Sequence, residues 1–193
     1  MSTDRDPDQA REGAPIRWLS PDEMRAWRSF LSMHAQLSAH VRRSLGQGVG
    51  MSDADYAVLV HLSEAPEGKM RVFELVRALQ WEKSRLSHQL RRMEQRELLE
   101  RTECPTDGRG AFVALTATGR EAIEAAAPLH VAEVRKHFID RLTPEQLGSL
   151  LEISRAVLDS FGLDVDESGR AVERRAGSSE DGSEARPTAV AAS

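Results

Sequence analysis

Apolar residues recur three and four positions apart in six stretches of this chain, and the intervals between those stretches are polar. That spacing puts them on one face of a helix each. The first stretch carries Trp27, Phe30, Leu31, His34, Leu37, Val41 and Leu45. It opens at Ser20-Pro21-Asp22-Glu23, where Ser20 caps, Pro21 fits the first helical position and Glu23 closes a capping box. Gly46, Gly48 and Gly50 end it. The second begins at the cap Ser52 and lines its inner side with Tyr56, Leu59, Val60 and Leu62, before a turn at Ala65-Pro66-Glu67-Gly68. Phe73, Leu75, Val76 and Leu79 mark the third, and Leu86, Leu90 and Met93 the fourth. The fifth starts at Thr116 or Thr118, the latter with Glu121 as a second capping box. It runs through Ile123, Ala126, Ala127, His130, Val131, Val134 and Phe138, with Pro128 predicting a bend. The sixth opens at Thr143-Pro144-Glu145-Gln146, carries Leu147, Leu150, Leu151, Ile153, Val157, Leu158 and Phe161, and stops at Gly162.

The helical period breaks once. Leu99–Cys104 and Ala111–Leu115 read as two strands, and between them Pro105, Asp107, Gly108 and Gly110 cluster as turn residues with Arg109 near the tip. Met70 to Val72 reads as a short strand able to pair with this hairpin. The helix just before the hairpin has an unusual outer face. Opposite Leu86, Leu90 and Met93 stand Ser84, Ser87, His88 and Arg91, flanked by Arg85 and Arg92, and from Lys83 to Arg92 there is no acid. Lysine and arginine reach phosphates and guanine edges, and Ser and His read smaller features of a major groove. The connection from Leu79 to Trp81 is short, as a helix-turn-helix requires. Trp81 is placed as a hydrophobic staple and makes Glu82 the cap, a poor capping residue. A basic turn beside a groove-reading helix is a winged helix-turn-helix, whose tip arginine enters the adjacent minor groove.

These residues carry a resemblance. The helix ending in RRMEQRELLER, the DGRG motif at Asp107 to Gly110 and the following LTATGREAI resemble the MarR family of bacterial transcription regulators, over roughly Trp18 to Gly162. The resemblance implies that Asp107 and Arg109 brace each other at the wing, with Arg109 in the minor groove. It also implies that the first helix pairs with the C-terminal helices of a second subunit. Two recognition helices one turn apart would then read a palindromic operator in double-stranded DNA. Replacing Arg109 by Ala is expected to weaken binding to all sequences and to flatten the salt dependence.

Charge at first argues the other way, because the 193 residues carry a net charge of −5. The acid excess is confined to the ends. Residues 1–15 are net −2, residues 164–193 are net −3, and the middle is neutral. Across residues 82–113 seven bases face six acids, so the argument rests on where the charge sits. No apolar run approaches the ~18 residues of a membrane span, and MSTDRDPDQAREG has no apolar core that would make it a secretory signal. The one cysteine excludes an internal disulfide and fits a reducing cytoplasm.

Chemistry beyond DNA binding is sparse. Phosphate-cradling, dinucleotide-binding and nucleophile-elbow motifs are absent, so no enzyme and no cofactor is expected. The six histidines form no HExxH or Cys-rich cluster, and no metal ligand is assigned. His34 and His40 do not share a helix face, whereas His130 and His137, seven apart, can share one. Cys104 sits at the base of the wing, with Arg101 able to lower its pKa and Glu103 opposing that, which makes a redox-responsive regulator an alternative. The family resemblance further implies a small aromatic or phenolic effector between the DNA-binding lobe and the dimer helices. Trp27, Phe30, His34 and Tyr56 are the candidates by position.

The expected fold is therefore mainly α with a small β-hairpin wing (α+β), a winged helix-turn-helix with a helical dimerisation region from N- and C-terminal helices. Residues 1–15 are expected to be a disordered arm and 164–193 a disordered acidic tail. Residues 16–163 form the domain, with 16–50 and 117–162 as dimerisation helices and 52–116 as the DNA-binding lobe. The expected function is a homodimeric, cytoplasmic, sequence-specific repressor released by a ligand. A winged-helix protein-interaction module is the alternative of another class, distinguished by salt-sensitive retention on DNA.

Overall fold

The computed structural model describes residues 16–103 and 111–174. The expected N-terminal arm, the wing tip with Cys104, Asp107 and Arg109, and residues 175–193 of the expected tail lie outside the described residues. The chain divides after Arg141 into two compact units.

In the first unit, helix α1 spans Pro21–Val49 behind the predicted capping box. The Glu23 N–H donates to Ser20 Oγ at 3.2 Å, and the Ser20 N–H donates to Glu23 Oε2 at 2.7 Å. Gly50 alone ends it, in the left-handed conformation at φ +64°. Gly46 and Gly48 lie inside the helix, contrary to the expectation that all three glycines terminate it. Gly48 stands where α1 meets the fifth helix, and a Cβ there would lie 2.7 Å from Leu129 Cδ1. Helix α2, Asp53–Glu64, starts at the cap Ser52, and a 3-10 turn at Pro66–Gly68 leads into β1, Lys69–Arg71. Helix α3, Val72–Leu79, and helix α4, Lys83–Glu94, follow. The turn between them is made by Gln80 at φ 52°, whose side-chain amide donates to Arg77 O at 2.8 Å. Strands β2, Leu99–Glu103, and β3, Ala111–Leu115, form the base of the wing. The sheet order is β1-β3-β2, all antiparallel, with Val113 between Met70 and Arg101. Helix α5, Ala117–His137, carries Pro128 within it and ends in a 3-10 turn at Ile139–Arg141.

One apolar cluster holds the unit together. Leu45, Val58, Leu59, Leu62, Leu75, Leu86, Leu90, Met93, Leu99 and Val113 are fully buried in it. Each side chain of that size contributes about 1.5–3 kcal/mol by leaving water. The core therefore sits under α4 and fixes which face of that helix looks outward.

The junction from the wing to α5 is built on close backbone approach. Thr116, not Thr118, is the cap. Its hydroxyl accepts from the Gly119 N–H at 3.0 Å and donates to Glu97 O at 2.5 Å. A Cβ at Gly119 would lie 1.8 Å from the Leu98 carbonyl oxygen, so only glycine fits this part of the TATG sequence.

In the second unit, α6 spans Pro144–Asp159, and a hairpin follows it. Strands β4, Leu163–Val165, and β5, Ala171–Glu173, pair antiparallel. This corrects the start of the expected disordered tail at 164, because residues up to 173 are in regular structure. Asp166 makes the turn, its Oδ1 accepting from the Ser168 N–H at 2.9 Å, the Ser168 hydroxyl at 2.6 Å and the Arg170 N–H at 2.9 Å. An ion pair of Arg174 with Asp159 returns the hairpin to the end of α6. Among the described residues no helix is long and apolar enough to cross a membrane.

Candidate nucleic-acid interface

Helix α4 is sorted by its own sequence into two faces. At 100° per residue, Leu86, Gln89, Leu90 and Met93 fall on one side, and all four are buried. Ser84, His88 and Arg91 lie exposed on the opposite side with Ser87 partly covered, and Lys83, Arg85 and Arg92 are exposed at its flanks. Among the described residues no carboxylate is ion-paired with Lys83, Arg85, Arg91 or Arg92. The cationic face is thus unspent. As expected, Glu82 caps α4 without a side-chain hydrogen bond. Trp81 does more than staple, because the Arg85 guanidinium lies 4.2 Å above its ring. Trp81 in turn rests on the core, so this stacking aims Arg85 from a fixed support.

A buried polar tether, which sequence reasoning missed, sets the orientation of α4. Asp55 is 2% exposed, and both of its carboxylate oxygens accept hydrogen bonds. Oδ1 accepts from Gln89 Nε2 of α4 at 2.6 Å. Oδ2 accepts from Arg96 Nη1 at 2.7 Å and from the Ser52 N–H at 3.2 Å. Burial by itself would raise the Asp55 carboxyl, but the bonds from Arg96 and Ser52 outweigh it and hold the group below the usual carboxylate range. Its place in S-D-A-D announced a helix start. Partners 34 and 41 residues away left no trace in that local pattern.

The base of the wing is tied to the same helix. Arg101 of β2 donates to Ser87 O at 3.2 Å and lies 3.5 Å from Glu94 Oε2. The side chain is therefore committed to α4. On β1, Lys69 and Arg71 lie 4.5 and 5.0 Å from the centre of the Phe112 ring. They add two cations to the wing base that the sequence reading did not assign.

The four effector candidates do not meet. Trp27, Phe30 and His34 form a stacked ladder along α1, with centroid spacings of 6.0 and 6.3 Å. Trp27 and Phe30 are half exposed. Tyr56 instead stacks on His130 of α5 at 4.5 Å. Val41, where α1 first becomes buried, is about 20 Å further along the axis than Trp27. The four were chosen by position, and within one chain three of them stack along α1 while Tyr56 stacks on α5.

This geometry, an exposed cationic helix in a winged fold, agrees with what the chain is similar to. A sequence model of the MarR family matches residues 49–110. AbsC, a MarR family transcriptional regulator from Streptomyces coelicolor, is 40% identical, with 76% of this chain and 98% of AbsC covered and a TM-score of 0.73. A second MarR family regulator from Streptomyces coelicolor, solved in complex with DNA, is 41% identical over 75% of this chain and 91% of its own, at a TM-score of 0.72. The transcriptional regulator HosA of Escherichia coli O111:H- is 27% identical over 69% of this chain and 96% of its own length. The chain belongs to the MarR family. It is a DNA-binding transcription regulator and not an enzyme.

Proposed function

We propose that this regulator is a cytoplasmic homodimeric repressor that reads a palindromic operator with Ser84, Ser87, His88 and Arg91. Lys83, Arg85 and Arg92 hold the flanking phosphates, and at the wing Asp107 braces Arg109, which enters the adjacent minor groove. The observation that carries this reading is the face of α4, exposed, acid-free from Lys83 to Arg92, and held by the buried Asp55–Gln89 bond. Binding to DNA upstream of its own gene is expected to fall steeply with salt, with log K losing about 0.9 per log unit of salt for each phosphate neutralised. Salt-insensitive retention would point to a protein partner.

Dimerisation is supported by apolar surface that each unit leaves in water. On α1 these residues are Trp27, Phe30, Leu31 and Met33, and on α6 they are Leu151, Ile153 and Val157. No residue of α6 is buried. Monomeric proteins rarely leave contiguous apolar stripes of this kind exposed. A Leu31→Asp substitution is expected to shift the sedimentation of the purified protein from dimer to monomer and to lower operator affinity at least about tenfold, since each half-site then binds alone. A wild-type monomer would refute the proposal. Release by a small aromatic or phenolic effector completes the reading. BpsR of Bordetella bronchiseptica, 20% identical and similar in fold, is a protein whose DNA binding is regulated by 6-hydroxynicotinic acid.

A further inference from the structure

One cluster of titratable side chains stands apart from the DNA face. His40 of α1 meets Glu133 and His137 of α5, a convergence of residues 93 apart that spacing along the chain does not reveal. His40 Nε2 lies 2.6 Å from Glu133 Oε2, and His137 Nε2 lies 3.4 Å from the same oxygen. The two imidazole rings are 4.1 Å apart and tilted by 56°. One ligand atom from each residue falls within 4.8 Å of the other two. Glu133 and His137 share a helix face at i, i+4, and α1 supplies the third group from across the contact. The cluster opens on a cavity of about 280 Å³ that Met33, Gln36, Arg43 and Phe138 line together with both histidines.

We propose that His40, Glu133 and His137 form a binding site for a divalent transition metal, with Zn²⁺ the best fit, that fastens α1 to α5. Two imidazoles and one carboxylate are a zinc donor set, whereas magnesium and calcium take oxygen-rich sites. Metal–ligand bonds of about 2.0–2.1 Å in a tetrahedron put the ligand atoms about 3.3 Å apart. The His137–Glu133 separation already matches this. The His40–Glu133 separation is that of a hydrogen bond, and it opens by less than about 1 Å as the metal displaces the shared proton. The fourth position faces the cavity and is open to water. Zinc with one carboxylate carries a net positive charge, so Arg43 across the cavity leaves that position to a neutral or anionic donor. Because α5 continues directly from the wing strand β3 through the Thr116 cap, a metal here braces the helix that carries the DNA-binding lobe.

The test is Zn²⁺ titration of the full-length protein against a chromophoric chelator, with Co²⁺ as a spectroscopic probe of tetrahedral geometry. One equivalent per chain is expected, with intense visible Co²⁺ bands. His40→Ala and His137→Ala are each expected to weaken binding at least about 100-fold, more than loss of an outer-sphere partner typically does. His61→Ala, which removes an imidazole outside the cluster whose Nδ1 bonds Ala57 O, keeps the full equivalent. If either alanine variant fails to fold, Glu133→Gln decides, since it keeps size and a hydrogen bond but removes the charge. Absence of stoichiometric binding by the wild-type protein, or equal affinity in the ligand variants, would overturn the proposal.

Discussion

Asp55→Ala is expected to lower unfolding stability by about 3 kcal/mol at neutral pH, the lower end for removing one partner of a buried ion pair. The lower end applies because the Arg96 side chain is 46% exposed and recovers water when its partner is lost. Gln89, buried on α4, has no such recourse and keeps an unsatisfied amide. The effect depends on pH in a defined direction. The folded pKa of Asp55 lies below its unfolded value of about 3.9. Its contribution is therefore fully present above pH ~4 and lost as pH falls through the folded pKa. Thermal melts of wild type and variant should be well separated from pH 7 down to about 5 and converge in stronger acid. A gap that stays constant into acid would mean that the carboxylate is not what the tether uses. Operator affinity should fall further than stability alone explains, because α4 loses the Gln89 bond that ties it to α2.

Gly119→Ala is expected to be at least as costly, about 3 kcal/mol or more, the upper range for forcing an atom into a filled site. The clash is with the Leu98 carbonyl oxygen, which belongs to the backbone and cannot swing away as a flexible side chain would. Relief requires α5 to lift from the wing base, so the Thr116 bonds to Gly119 and Glu97 are strained with it. Urea titration should show a lower midpoint at unchanged slope. A wild-type midpoint would contradict the close approach. Gly48→Ala is the instructive contrast. Its Cβ meets only the tip of Leu129, which can move, so a small effect of either sign is expected there.

Local rules made much of this fold readable. Two capping boxes follow from Ser20/Glu23 and Thr143/Gln146, and the cap of α2 from Ser52, because each is closed within three residues. The buried face of α4 follows from the 3.6-residue period, and the strand at Lys69–Arg71 lay one residue from its predicted place. Long-range polar contacts were not readable. Asp55 looks like a helix-start residue until the chain brings Gln89 and Arg96 to it. His40, Glu133 and His137 look solvated until α1 lies along α5. Gly46 and Gly48 carried the signature of a helix end, yet the helix continues to Val49, since packing outweighs the modest cost of glycine in a helix. The hairpin after α6 was hidden by polar composition, although Asp166 and Gly169 mark its turn. The aromatic quartet was chosen by position along the chain, and position alone did not show that Trp27, Phe30 and His34 stack on one another along α1 while Tyr56 stacks on His130.

The central claim is that the outward face of α4 reads operator DNA. Its most direct measurement is operator affinity of the Arg91→Ala protein at fixed salt, against the cognate site and a panel of single-base variants. A lost base contact of this kind costs about 1–3 kcal/mol, roughly 5- to 150-fold, and relaxes preference at one position of each half-site. Arg91 is exposed, so thermal stability should stay within about 0.5 kcal/mol of wild type. Wild-type affinity and an unaltered base preference in a folded Arg91→Ala dimer, and again when Arg85→Ala is added, would contradict it.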